Sequence, residues 1–200
     1  MNFAKTDNEH ELEELKTLVA QGNESAFRKL FNLFFTQLIK FATTLVKSKD
    51  AATDIVDEVF IRLWKNKNGI ISIDNLKAYL YRAVKNASLN YISRKTQNDL
   101  FESLDDFNIQ LTDEYSPEQQ MVSREIAVSI NNAVNSLPPK CKMVFMLVKE
   151  DGLKYKEVAD ILNLSIKTVD AQMVIAINRI RKSLKELLPM PRSQKKSQKK

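Results

Sequence analysis

Two groups of side chains carry the chemistry of this sequence. The first is Asp54, Asp57 and Glu58, three carboxylates at helical spacing beside an apolar set of Ile55, Val56, Val59, Phe60, Leu63 and Trp64. Acids so placed serve either as oxygen ligands for a divalent cation or as the charged part of a protein docking face. Their position beside an apolar stripe favours docking, because a groove-and-charge contact needs both kinds of surface. The rival reading is an enzyme acting on nucleic acid, with these acids holding a metal. Against it, no nucleophile–base pair and no glycine-rich phosphate loop is legible. One His and one Cys cannot furnish the usual zinc set. No catalytic residue, metal or cofactor is therefore expected.

The second group is Lys154, Lys156, Lys167, Thr168, Ala171 and Gln172. Tyr155 to Leu162 reads as a short helix with Val158, Ala159, Ile161 and Leu162 inward. Asn163-Leu164-Ser165 forms a tight turn, and a long helix starts at Ile166. Each part suits a helix–turn–helix. Ala159 is small enough for a steep helix crossing, and Asn163 tolerates the left-handed conformation the turn needs. Leu164 plugs the gap, and Ser165 caps the second helix. With Ile166, Val169, Met173, Ile177, Ile180 and Leu184 inward, Thr168, Ala171 and Gln172 point out from the first turns. Such turns enter the major groove, where Gln172 suits an adenine edge and Thr168 or Ala171 a thymine methyl. Lys154, Lys156 and Lys167 suit phosphates. Asp170, Val174 and Ile175 fit the groove poorly, so part of that face is expected to touch protein.

The elements that position these groups are helical. Glu11–Val19 forms a short helix with Leu12, Leu15, Leu18 and Val19 on one stripe, stopped by Gly22 and Asn23. Phe27, Leu30, Phe31, Phe34, Phe35, Leu38, Phe41 and Ala42 recur at helical spacing and read as a packed core face. Asp50 is the expected N-cap of a helix to about Lys65. After a break at Asn66–Ile73, Asp74 is the expected cap of a helix to about Arg94, with Leu76, Leu80 (with Tyr79), Ala83, Ala87 and Tyr91 inward. Arg82, Lys85, Asn86, Arg94 and Lys95 lie mainly off that stripe. Helix resumes near Pro117–Glu118 to about Ser136, and again from Pro138-Pro139 to about Glu150. The chain thus reads as all-α: two small helical domains joined by a flexible acidic linker. The expected segments are a helical N-terminal extension (1–24), a first domain (25–95), the linker (96–121), a second domain (122–188) and a basic tail (189–200).

Composition agrees with this reading. Three Gly and five Pro among 200 residues are too few for the turns of a many-stranded β-fold. No apolar run is long enough to span a membrane, and the acidic N-terminus does not look like a signal peptide. A lone cysteine suits a reducing cytoplasm. Charge is laid out in blocks. Residues 26–95 carry thirteen bases against five acids, residues 96–119 seven acids and no base, and residues 140–200 fifteen bases against six acids. Two basic helical blocks around an acid-only spacer favour contact with a polyanion.

These motifs resemble a known family. Ser136–Pro139, Asp151-Gly152-Leu153-Lys154-Tyr155-Lys156-Glu157-Val158-Ala159 and Leu164–Val169 are similar to region 4 of extracytoplasmic-function (ECF) sigma factors of the sigma-70 type. Asp54–Trp64 resembles their region 2.2, and Tyr79–Asn86 with Asn90-Tyr91 the region that follows. Lys85-Asn86 and the run Lys167-Thr168-Val169 resemble the subgroup linked to iron and other nutrient uptake. The resemblance implies a sigma factor that binds core RNA polymerase and directs initiation at promoter DNA. Asp54, Asp57, Glu58 and Phe60 would then dock on the β′ clamp. The Asn66–Ile73 loop with Arg82, Lys85, Asn86 and Arg94 would melt and read the minus-ten element. Region 4 would read the minus-thirty-five element and meet the β flap. An anti-sigma factor is implied as a partner, and the acidic linker would lie toward the RNA exit path. A stand-alone helix–turn–helix regulator is the alternative.

Overall fold

The structure is a computed structural model that describes the backbone of residues 3–98 and 130–187 and the side chains of residues 10–95 and 130–183. The acidic linker, the start of the helix expected near Pro117 and the basic tail lie outside the described residues. Among the described residues every regular element is helical, and no helix is long and apolar enough to cross a membrane. The chain divides into two compact units. One comprises Met1–Phe107 with Lys156–Leu164, the other Asn108–Tyr155 with Ser165–Lys200.

In the first unit, α1 (Phe3–Ala20), α2 (Glu24–Val46), α3 (Lys49–Lys65), a 3-10 helix (Lys67–Ser72) and α4 (Leu76–Asn98) follow one another through short corners. The starts of α2, α3 and α4 each have a local cause. Asn23 Oδ1 accepts from Ala26 N at 2.9 Å, Ser48 Oγ from Ala51 N at 3.3 Å and Asn75 Oδ1 from Ala78 N at 2.9 Å. Each bond satisfies a first-turn N–H that the helix itself leaves open. Two expected caps are thereby corrected: Ser48 replaces Asp50 and Asn75 replaces Asp74, because the helices begin at Lys49 and Leu76. Gly22 adopts φ +86° at the corner after α1, a conformation that suits glycine.

α2 lies at the centre, packed by α1, α3 and α4. Its buried row is Ala26, Leu30, Phe34, Leu38, Phe41 and Ala42. Aromatic rings join it to its neighbours: Phe31 lies 4.8 Å from Phe60, Phe27 lies 4.8 Å from Trp64, and Phe41 lies 5.1 Å from Tyr81. On α4 the buried row is Leu76, Leu80, Tyr81, Val84, Lys85 and Ser88. The stripe expected from sequence was rotated by about one residue. Tyr79 and Tyr91 are exposed, and Ala83 and Ala87 are only half-buried. Tyr81 wins the core position because its ring fills the space against Phe41.

In the second unit, helical residues 130–135 precede α5 (Pro139–Phe145), which runs into a π-helical turn (Met146–Glu150). Pro139 in the first turn has no N–H to leave unsatisfied. The π turn closes with Asp151 N donating to Met146 O at 3.0 Å, and Gly152 follows at φ +67°. The long helix α7 (Ile166–Leu187) packs on α5. Val134, Leu137, Cys141 and Ala176 form the core, with Phe145 and Ile180 against it. The buried row of α7 is therefore Val169, Met173 and Ala176, leading to Ile180. Ile166 and Ile177, expected inward, are exposed. The helix is apolar nearly all round, so periodicity alone could not choose its phase; small Ala176 allows α5 to approach closely.

Candidate functional site

Three surfaces gather the residues singled out by sequence. On α3, Asp54 and Glu58 are exposed and Asp57 is half-buried. Glu58 pairs with Arg62 one turn on. Among the described residues no group of three or more His, Cys, Asp or Glu is placed to hold a metal ion. The face also contains Ile61, 53% exposed, seven residues from Asp54 and three from Glu58. Phe60 is not on it: at 2% exposure it sits in the core, edge-on to Phe27 at 6.1 Å. Of the two places open to Phe60 from sequence, the polymerase contact or the core, the structure has it in the core, and the exposed apolar residue beside these acids is Ile61.

The second surface is the corner between α3 and α4 with the outer side of α4. The 3-10 helix inserts Ile70 fully into the core and leaves Ile71 exposed. Ser72 Oγ donates to Gly69 O at 2.8 Å, Asn66 Nδ2 donates to Arg62 O at 3.1 Å, and Lys67 Nζ stands 5.2 Å from the Trp64 ring. Gly69 faces open space. On α4, Arg82, Asn86 and Arg94 are exposed. Lys85 is not grouped with them: it is only 8% exposed, and burial lowers its ammonium pKa from the ordinary lysine range. Tyr79, expected inward, is 39% exposed and lies on the same side as Arg82 and Asn86. An exposed aromatic among basic and amide side chains offers a stacking surface for an unpaired base.

The third surface is the helix–turn–helix. α6 (Tyr155–Leu162) buries Val158, Ala159 and Ile161. Asn163 adopts φ +54°, and Leu164 N donates to Ala159 O at 2.9 Å, closing the turn. Ser165 Oγ accepts from Thr168 N at 3.0 Å and so starts α7. The expected cap and left-handed residue are both present. Lys154, Lys156, Lys167 and Ala171 are exposed, and Thr168 and Gln172 are half-buried. Cys141 Sγ donates to Gln172 Oε1 at 2.7 Å, and burial raises the thiol pKa. Half of the Gln172 amide is thus engaged inside the unit, leaving its NH2 group for outside contacts. Asp170, Val174 and Ile175 are exposed on the same helix.

Comparison with known proteins agrees with both halves of this geometry. Residues 30–97 match the family model described as Sigma-70 region 2, and residues 127–184 match the model described as Sigma-70, region 4. The ECF RNA polymerase sigma-E factor of Haemophilus influenzae is 25% identical over 177 residues, covering 85% of this chain and 93% of that protein. The ECF RNA polymerase sigma factor SigW of Bacillus subtilis is 26% identical over 177 residues, covering 84% and 94%. Among solved structures, the sigma factor RpoE in complex with the anti-sigma factor NepR from Bartonella quintana superimposes with a TM-score of 0.54 at 22% identity, covering 80% of this chain and 96% of that one. With both regions matched, in order, and near full-length relatives on either side, the chain belongs to the ECF subfamily of sigma-70-type RNA polymerase sigma factors.

Proposed function

We propose that the protein binds core RNA polymerase in the cytoplasm and directs promoter opening, without a catalytic step of its own, through three assigned surfaces. The α3 face of Asp54, Glu58 and Ile61, with Asp57 at its edge, docks on the β′ clamp. The corner at 66–75, with Tyr79, Arg82, Asn86 and Arg94, takes up the unpaired minus-ten strand. Lys85 joins them only by leaving its buried position. Unstacking a base costs a few kcal/mol, which aromatic stacking and phosphate contacts offset. Lys167, Thr168, Ala171 and Gln172 read the minus-thirty-five duplex, with Lys154 and Lys156 on phosphates. The exposed apolar side of α7 at Val174 and Ile175 suits a protein partner, either the β flap or an anti-sigma factor such as the one bound to the Bartonella relative.

The observation that carries this reading is the pairing, in one chain, of a capped helix–turn–helix with a separate acidic, apolar docking face. A stand-alone regulator needs only the first. Run-off transcription with core polymerase on a genomic promoter library tests it. Initiation at a defined promoter class is expected, and uptake genes among the hits would place the chain in the nutrient-linked subgroup. Tight, specific duplex binding by the protein alone, with no initiation, would favour the stand-alone regulator.

A further inference from the structure

α1 lies outside the segment that matches region 2, which begins at residue 30. Yet the 3-10 helix at the minus-ten corner packs chiefly on α1 and only marginally on α3. Both ends of the corner are held there. At its start, the α1–α2 turn comes so close that a Cβ on Gly22 would stand 3.5 Å from Lys67 Cε. At its end, Lys16 Nζ donates to Ile73 O at 2.7 Å. The same ammonium donates to Glu13 Oε1 at 2.8 Å and Oε2 at 2.9 Å, so its three N–H groups are all used.

This arrangement is costly for mere packing. The Lys16 side chain is 3% exposed, and a buried ammonium is tolerated only with a charge partner and full hydrogen bonding. Glu13 supplies the charge from solvent-exposed ground. Ile73 is extended between the 3-10 helix and α4, and its carbonyl precedes the first turn of α4. A 3-10 segment of six residues has weak internal hydrogen bonding and takes its position from what it packs on. Base-reading groups need placement to within about half an ångström.

We infer that Lys16, held by Glu13, is a positioning residue for minus-ten recognition: it clamps the 66–75 corner to α1 and so sets where the unpaired base is received. This rests on the assignment of that corner to the minus-ten strand.

The test uses the full chain assembled with core polymerase. Holoenzyme captures strands from a single-stranded DNA library randomised over ten positions, and base enrichment is compared between wild type and Lys16→Met. Core affinity and thermal midpoint are measured alongside. Expected for Lys16→Met is at least a tenfold loss of enrichment at the most selective position, with core affinity within twofold. Lys16→Arg, which keeps donors, should restore part of it. Unchanged enrichment, or a loss of core affinity in step with it, overturns the clamp. Should Lys16→Met fail to fold, Glu13→Gln decides: it leaves a buried ammonium with a weaker partner, and an unaltered base preference there refutes the role. A wild-type holoenzyme that enriches no base refutes instead the assignment of the corner itself.

Discussion

Phe60 and the adjacent Ile61 should respond in opposite ways to truncation. Phe60 is 2% exposed, with its ring 4.8 Å from Phe31 and 6.1 Å from Phe27. Phe60→Ala removes a buried ring from a well-packed site, which costs about 3–5 kcal/mol. That is roughly two to nearly four decades in the folding equilibrium, against a total stability of about 5–15 kcal/mol for a domain. At ~4–8 °C per kcal/mol for a domain of this size, the thermal midpoint should fall by about 12 °C or more. Ile61 is 53% exposed, so Ile61→Ala should change stability by no more than about 0.5 kcal/mol. If Ile61 is part of the docking face, core polymerase affinity should drop about tenfold or more, as for an apolar group in an interface centre. Circular dichroism melts and a fluorescence competition assay for core binding read the two quantities separately. A Phe60→Ala protein that melts normally but no longer binds core, beside a fully active Ile61→Ala protein, would refute the assignment of core and surface.

Three other outcomes are expected. Asn163→Val puts a β-branched residue at φ +54° and should destabilise the helix–turn–helix by about 1–2 kcal/mol, whereas Asn163→Gly should be nearly neutral; equal melts for both would argue against the left-handed turn. Lys85→Met should raise the melting temperature near pH 7 yet weaken capture of the minus-ten strand. Because burial depresses the folded pKa of Lys85, the native state binds fewer protons than the unfolded chain between the two pKa values, so this contribution to stability should rise with pH across that alkaline window and be flat on either side of it. The Lys85→Met difference curve should lose that slope, and a persisting slope would assign it to other groups. Lys167→Glu should weaken upstream-duplex binding by holoenzyme and lower the salt slope by about one, while core affinity survives; equal losses in both would count against separate docking and upstream-reading surfaces.

Helix existence, the left-handed turn at Asn163 and the Ser165 cap were legible in the sequence because their causes are local. A side-chain oxygen meets an N–H three residues on, and Asn tolerates positive φ. That Asp54, Asp57 and Glu58 form one acidic helix face was legible because they share one helical period. Caps displaced by one or two residues, as at Ser48 and Asn75, show the limit of that reading: several polar residues compete for each helix start.

What only the tertiary structure decided was the rotation of each helix and the partners brought from afar. On α4 and α7 too many apolar or ambiguous residues surround the axis, so neighbouring helices choose the buried row. Tyr81 packs on Phe41, and Ala176 joins the core of Val134 and Leu137. That choice turned Lys85 inward and Tyr79 outward, and on α3 packing likewise placed Phe60 in the core and left Ile61 exposed. The bond from Lys16 to Ile73 spans 57 residues, and no local pattern announces it. The sequence by itself determined which helices form and where their charges lie, since those depend on neighbours within a turn. Which side chains face the polymerase and the promoter depends on packing between distant segments.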